Sequence, residues 1–492
     1  MRWAAALVAI GALAAFVVFA SLKVQAKGVC CADDAFIAHV AKNFARGEGY
    51  VSSLRDDTPL YTRRAFDPMI STGPTLLLPA AALMAVFGNE GWVPGATMVL
   101  ATLALLLAMR LALAKATDPV RLDFAVPVFL ALCIAFTALH LEHWYALLGE
   151  VPAALLLVLA CLLPATRGLD PRTGAWSGVL LGLAFLAKTL AALYFAAFVV
   201  VVAAACSPFA PGARGWKSPA FLVAVSVGFA LPVLAFEAWK LATLGVHGYV
   251  RTWVRFLGVA GPLAVGGAAR GAATRIADGS AAFYARFGIS LLELNVINWA
   301  AVLIARRHAG TFALFLAALA AGVTLQTAWW LLSSNGWPRY MVIGLVVSAF
   351  LATVPLFCLR RPRHAAIYLL VLAIWCIGLW PRTVAQVTDL DASSRIGLER
   401  TVAFLQGRRE ALPYLGQWWA TVADLEYRLP GSVHFRAHQA VTPEDWQRSF
   451  LVVVNETFVL RDDDVFRQLL ARCGAPVHEA HPYRVYRCGG ES

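Results

Sequence analysis

The sequence predicts an all-α polytopic membrane protein with a small soluble α/β domain at its C-terminal end. Three observations point there. Of 492 residues, 60% are hydrophobic and only 14% are charged, and the mean hydropathy is +0.69. A soluble chain of this length could not bury that much apolar surface. The apolar residues fall into runs long enough for a bilayer, punctuated by short basic clusters. Beyond Pro381 the composition turns polar and mixed. The net charge of +12 does not imply a nucleic-acid partner. Its lysines and arginines lie between apolar runs, in the pattern that orients membrane proteins, with no basic stripe interleaved with aromatics.

The elements follow in order. Trp3 to Leu22 is about as long as a bilayer requires, ~20 residues, and reads as an uncleaved first span rather than a removable signal. Asp33 and Asp34 come directly after it, ahead of a helix expected over Ala35 to Arg46. Basic clusters at Arg110/Lys115/Arg121, Arg167/Arg172, Arg214/Lys217, Arg306-Arg307-His308 and Arg360-Arg361-Pro362-Arg363-His364 are assigned to the cytoplasm. Between them, spans are expected near 93–114, 124–141, 150–165, 219–241, 284–304, 309–331, 340–358 and 365–380. Parity then makes Pro74 to Phe87 an interfacial helix, because a crossing there would move every later cluster outside. A single crossing by Trp176 to Cys206 would put one basic flank on the wrong side, and two crossings would each be too short for a core of ~30 Å. Two short helices meeting near Lys188 fit this run better. The total is about eleven spans, with a cytoplasmic N-terminus and an external C-terminus.

Two external loops result, 25–92 and 242–283. The second is glycine-rich and holds Arg251, Arg255, Arg270 and Arg275. Arg251 and Arg255 share a helix face, which suits interfacial anchoring or anion binding equally. Residues 1–380 form the membrane module and 381–492 the external domain. The domain has helix-like Leu398 to Leu405 and Asp464 to Ala471, strand-like Ser449 to Val454 and Tyr483 to Tyr486, and no catalytic motif. An external location would let Cys473 and Cys488 form a disulfide. Cys133, Cys161, Cys206, Cys358 and Cys376 lie in apolar segments as small core residues. Cys30 and Cys31 are adjacent and could not pair without strain, and no CxxC metal spacing occurs.

Five ionisable features face outward in this topology: Asp33/Asp34, Arg63/Arg64, Glu150, Lys188 and Arg339. A lysine at the centre of a span costs about 2.5–3.5 kcal/mol, so Lys188 either faces a polar cavity or makes a structural ion pair. Arg339, beside Trp337 and Tyr340, reads as an anion ligand or an interfacial anchor. Glu150 opens a span, where an acid also suits a helix N-terminus. Helix capping accounts for one of Asp33 and Asp34 more easily than for both. Acids at the rim with cations below suit one reaction. A polyprenyl-phosphate sugar keeps its tail in the bilayer and its phosphate at the interface. Breaking the sugar C1–O bond leaves a phosphate whose growing charge Lys188, Arg339 and an external-loop arginine would stabilise. An aspartate would take the acceptor hydroxyl's proton, and attack from the opposite face would invert the anomeric carbon.

Asp33-Asp34-Ala35-Phe36-Ile37, followed by Ala41-Lys42-Asn43-Phe44-Ala45-Arg46-Gly47-Glu48-Gly49-Tyr50, resembles the first external loop of bacterial GT-C glycosyltransferases. These include arabinofuranosyl- and mannosyltransferases, lipid A aminoarabinose transferases and protein O-mannosyltransferases. Thr72 to Pro79 resembles the start of their interfacial helix, Gly182 to Lys188 a glycine- and lysine-bearing segment, and Pro338-Arg339-Tyr340 an Arg-Tyr step before a late span. The likeness runs through residues 1–380 in order. It implies a GT-C-like fold and sugar transfer from a polyprenyl-phosphate donor at the external face of a bacterial inner membrane. The acceptor would be a lipid, glycan or protein. Asp33 matches the catalytic acid, Asp34 the neighbouring acidic position, and Glu150 falls near a second acidic position. With Arg63, Arg251 and Arg255 as further phosphate ligands, no cofactor is required, and a divalent cation bridging Asp33, Asp34 and the phosphate stays open. No Phe-Glu-Lys-Pro-Pro occurs, which disfavours the aminoarabinose subgroup. Two alternatives use the same cations: a transporter or flippase of lipid-linked sugars, and a glycan polymerase or ligase. The first should show internal repeats, and none is evident.

Overall fold

The structure is a computed structural model. It describes residues 2–29, 32–52, 64–66, 73–114, 119–205, 219–265, 272–306, 310–334, 336–359, 361–408, 414–416, 421–429, 435–437, 446–458 and 464–490. Among these, seven helices are long and apolar enough to cross a membrane, or eight if one bent pair counts as a single span.

α1 (Arg2–Lys27) leads into α2 (Ala32–Ala45), which begins with the acid pair. α3 (Pro74–Phe87) has the bounds read from the sequence, with Pro at its first turn. α4 (Val93–Ala114) and α5 (Pro119–Phe136) follow. α5 starts and ends earlier than the expected 124–141 run, whose last residues fall in a 3₁₀ segment at Ala138–Trp144. α6 (Glu150–Arg167), α7 (Pro171–Ala187) and α8 (Ala191–Ala205) come next, and α7 and α8 meet at Lys188.

Gly174, Gly178 and Gly182 lie one turn apart on α7 and face α9 (Pro219–Val265). A Cβ on Gly174 would sit 2.7 Å from the Phe221 carbonyl oxygen. Small residues at this spacing let two backbones touch where no hydrophobic force separates lipid from protein.

The expected loop 242–283 is largely helical. α9 runs past a kink at Gly245, and α10 (Ala272–Phe287) is a second helix. Helix beyond Gly245 carries both Arg251 and Arg255, as expected of two arginines that share a helix face. The expected span 284–304 is also split. α10 and α11 (Leu291–Arg306) meet at a 76° bend, with Gly288 in the left-handed region at its corner. α12 (Gly310–Leu332), α13 (Val342–Cys358) and α14 (Pro362–Thr388) complete the bundle. α13 is apolar on all sides and buried on all sides, against α5, α6, α11 and α12. α14 exposes Ile367, Leu370, Ile374 and Ile377, the pattern of a helix facing lipid.

The C-terminal region is built on a mixed five-stranded sheet of order β4-β3-β5-β7-β6. Its strands are β3 (Tyr414–Gly416), β4 (Phe435–Ala437), β5 (Phe450–Asn455), β6 (Pro476–Ala480) and β7 (Tyr483–Cys488). The short β1 (Val51–Ser52) and β2 (Arg64–Ala65) pair in the first loop. β5 is apolar from Phe450 to Val454 because it is central and buried throughout. The sheet carries α15 (Ser393–Gln406), α16 (Thr421–Arg428) and α17 (Asp464–Ala471). Cys473 and Cys488 are disulfide-bonded.

This region is seated on the membrane bundle. Lys42 Nζ on α2 donates to the Tyr427 carbonyl at 3.0 Å, the Tyr427 hydroxyl donates to the Glu90 carbonyl at 3.2 Å, and Lys27 pairs with Asp389 at 2.9 Å.

Candidate active site

A cavity of about 530 Å³ opens between the bundle and the C-terminal region, a size typical of ligand pockets. Asp33, Glu150, Lys188 and Arg339 all line it. They come from four separate segments: the start of α2, the start of α6, the α7–α8 break and the turn before α13.

Each position has a local cause. The Lys188 backbone is extended where α7 ends. That corner is pinned to α3 by the Gly73 N–H donating to the Leu186 carbonyl at 2.7 Å and Thr75 donating to Leu183 at 2.9 Å. Arg339 follows Pro338, which starts a 3₁₀ turn. Its guanidinium lies 4.6 Å from the Trp337 ring centre, a cation–π arrangement. The Trp337 carbonyl accepts from Trp330 at 2.9 Å and the Tyr340 carbonyl from Gln326 at 2.5 Å.

The four groups are paired crosswise. Arg339 makes an ion pair with Asp33. Lys188 Nζ lies 2.7 Å from Glu150 Oε1, and His143 Nδ1 lies 3.1 Å from the other Glu150 oxygen. Glu150 is 1% exposed and Lys188 9%. Lys188 is thus both a cavity residue and half of an ion pair.

Asp33 and Asp34 separate in space. Asp33 faces the cavity, whereas Asp34 is buried and accepts the Leu147 N–H at 2.8 Å, which ties α2 to the segment before α6. Tyr340 lines no part of the cavity and stacks on Trp337 at 5.9 Å. Arg251 and Arg255 lie on α9 beyond its kink; Arg251 does not line the cavity, and the Arg255 side chain lies outside what the structure describes. Arg275 is tied to the Ser334 carbonyl at 3.1 Å. Arg63, Arg270, Cys30, Cys31 and Cys206 lie outside the described residues. Among the described residues, no three His, Cys, Asp or Glu side chains are placed to hold a metal ion.

Sequence reasoning missed half of the lining. Asp424 and Arg428 on α16, Asn455, Thr457 and Tyr483 close the cavity from the C-terminal side. The signal was present: Asp424 and Arg428 are four residues apart in an amphipathic helix, which puts two charges on one face.

The comparisons with known proteins bear on this geometry. ArnT from Cupriavidus metallidurans, solved with undecaprenyl phosphate, superposes with a TM-score of 0.58 over 98% of this chain and 99% of that one, at 12% identity. The chain shares that protein's fold. The apo form of ArnT gives 0.58 over 99% and 100%, at 13% identity. The shared fold is a polytopic helical region with a small C-terminal domain, as the sequence predicted. The Archaeoglobus fulgidus oligosaccharyltransferase matches over 87% of this chain and 62% of that one at 14% identity, with a TM-score of 0.47 that carries no argument. No family model matches the chain, and no curated protein does.

Proposed function

We propose that the chain is a glycosyltransferase that moves a sugar from a polyprenyl-phosphate donor to an acceptor hydroxyl at the external face of a bacterial inner membrane. One observation carries this reading: Asp33, Arg339, Glu150 and Lys188, far apart in sequence, line a single cavity. Asp33 is the general base. Lys188 and Arg339 stabilise the charge that grows on the departing phosphate. Glu150 holds Lys188 in place. Attack from the face opposite the phosphate inverts the anomeric carbon. The reaction is written without a divalent cation; transfer lost on chelation and regained with magnesium would add one. The N-terminus is cytoplasmic, the chain crosses about eleven times, and the C-terminal region is external.

Undecaprenyl phosphate is held by a protein of the same fold, so its glycosylated form is the first donor to try. The test is single-turnover transfer in detergent, where no membrane remains to be crossed. The wild-type protein should release polyprenyl phosphate, and Asp33→Asn should slow release roughly 10²–10⁴-fold. A protein that moves lipid-linked sugar across liposomes yet never cleaves it would be a flippase and would overturn the reading.

A further inference from the structure

The cavity has a second wall that this chemistry leaves unused. Beyond residue 381, nine residues line it, and Leu398 is the single apolar one. A wall of that composition does not suit a lipid tail.

Two groups define it. Asp424 and Arg428 sit one turn apart on α16 and both face the cavity. Spacing of this kind normally gives an ion pair, yet none forms between them among the described residues. Each is held elsewhere. Asp424 accepts from the Tyr483 hydroxyl at 2.9 Å and is only 8% exposed. Arg428 reaches the bundle between Gly28 and Gly91, where an added Cβ would come within 3.1 and 2.5 Å of its Nη2. Its Nε is buried without an acceptor. A carboxyl group and a guanidinium one helical turn apart, unbonded to one another, therefore both face the cavity.

That arrangement matches a hydroxyl, which donates and accepts at once. Neighbouring hydroxyls on a sugar ring can donate to Asp424 while accepting from Arg428. We propose that α16, through Asp424 and Arg428, forms a binding subsite for a carbohydrate, the acceptor half of the cavity. Naming it the acceptor half rests on the glycosyltransferase reading; the carbohydrate site itself does not.

The test is saturation-transfer NMR on the full-length protein in lauryldimethylamine oxide, a detergent with no sugar. The probes are methyl glucoside, methyl mannoside, methyl galactoside and a threonine-containing peptide, with undecaprenyl phosphate as the probe of the other wall. At least one hexoside should bind the wild type. Asp424→Asn and Arg428→Gln should each weaken it at least ~10-fold, the scale of one hydrogen bond to a charged group. Gly91→Ala, which crowds Arg428 without removing it, should weaken it too. Undecaprenyl phosphate should bind all of them alike. No hexoside signal from the wild type, hexoside binding untouched in the variants, or displacement of the hexoside by the peptide would overturn the proposal. So would joint loss of both ligands in all three variants, which would make these residues structural. Hexoside binding by a protein that never cleaves its donor would sink the transferase reading and leave this one standing.

Discussion

Lys188 and Glu150 form one unit, which changes what a substitution can reveal. Lys188→Met alone leaves a carboxylate in a site where Glu150 is 1% exposed. Breaking a buried pair from one side costs about 3–5 kcal/mol. Lys188→Met should therefore unfold at a markedly lower temperature, and Lys188→Met with Glu150→Gln should recover much of that loss while transfer stays slow. Thermal unfolding beside single-turnover transfer separates the two effects. Asp424 makes a prediction in pH. Burial, reinforced by the charge of Asp34 and opposed by the Tyr483 hydrogen bond and by Arg428, raises its carboxyl to about 7. In the unfolded chain it ionises near pH ~4. Folding therefore takes up a proton between those values, and stability contributed by the protonated acid falls as pH rises through that window. Unfolding temperatures should show the wild type losing ground to Asp424→Asn from pH ~4 to ~7, and parallel curves would count against a buried, proton-holding Asp424. At this scale the sequence was legible where a charge stood out against apolar surroundings. Lys188, Glu150 and Arg339 were visible for that reason. Their partners were not, because Asp33 and Arg339 are 306 positions apart and nothing local couples them. Asp424 was hidden for the opposite reason, since a charge within a polar domain draws no notice.

At the scale of elements, charge parity was the reliable guide. It set α3 apart with its observed bounds and, with bilayer thickness, split the apolar run 176–206 into α7 and α8 with Lys188 at the corner. Composition was a poorer guide. The glycines of α7 drew attention only at Gly182, although Gly174 and Gly178 complete the stripe that meets α9. Spacing, not abundance, carried the meaning there. α3 also decides orientation. It is an apolar helix of 14 residues, or about 21 Å at 1.5 Å per residue, short of a hydrocarbon core of ~30 Å. If it lies in the interface, a periplasmic reporter fused after Ser492 should be active and a cytoplasmic reporter silent. The reverse pattern would mean that α3 crosses.

Over the whole molecule, the small domain is part of the vessel rather than an appendage. It seats on α2, the helix that begins with Asp33, through Lys42 and Tyr427. It also supplies one wall of the cavity. The sequence announced the domain through its change in composition, but not its docking, because no single residue records a contact between distant segments. The pairing of Arg339 with Asp33 sets an order in time. A donor phosphate that takes over the Arg339 nitrogen held by Asp33 would displace that carboxylate and free it to turn to a hydroxyl. The two substrates would form a queue, donor first. Steady-state kinetics can read the order: an unreactive acceptor analogue should inhibit uncompetitively against the donor, since its place exists only after the donor has arrived. Competitive inhibition would mean that the aspartate is available from the outset. Water entering the empty cavity would likewise find the base engaged, so the ion pair would guard the interval between turnovers.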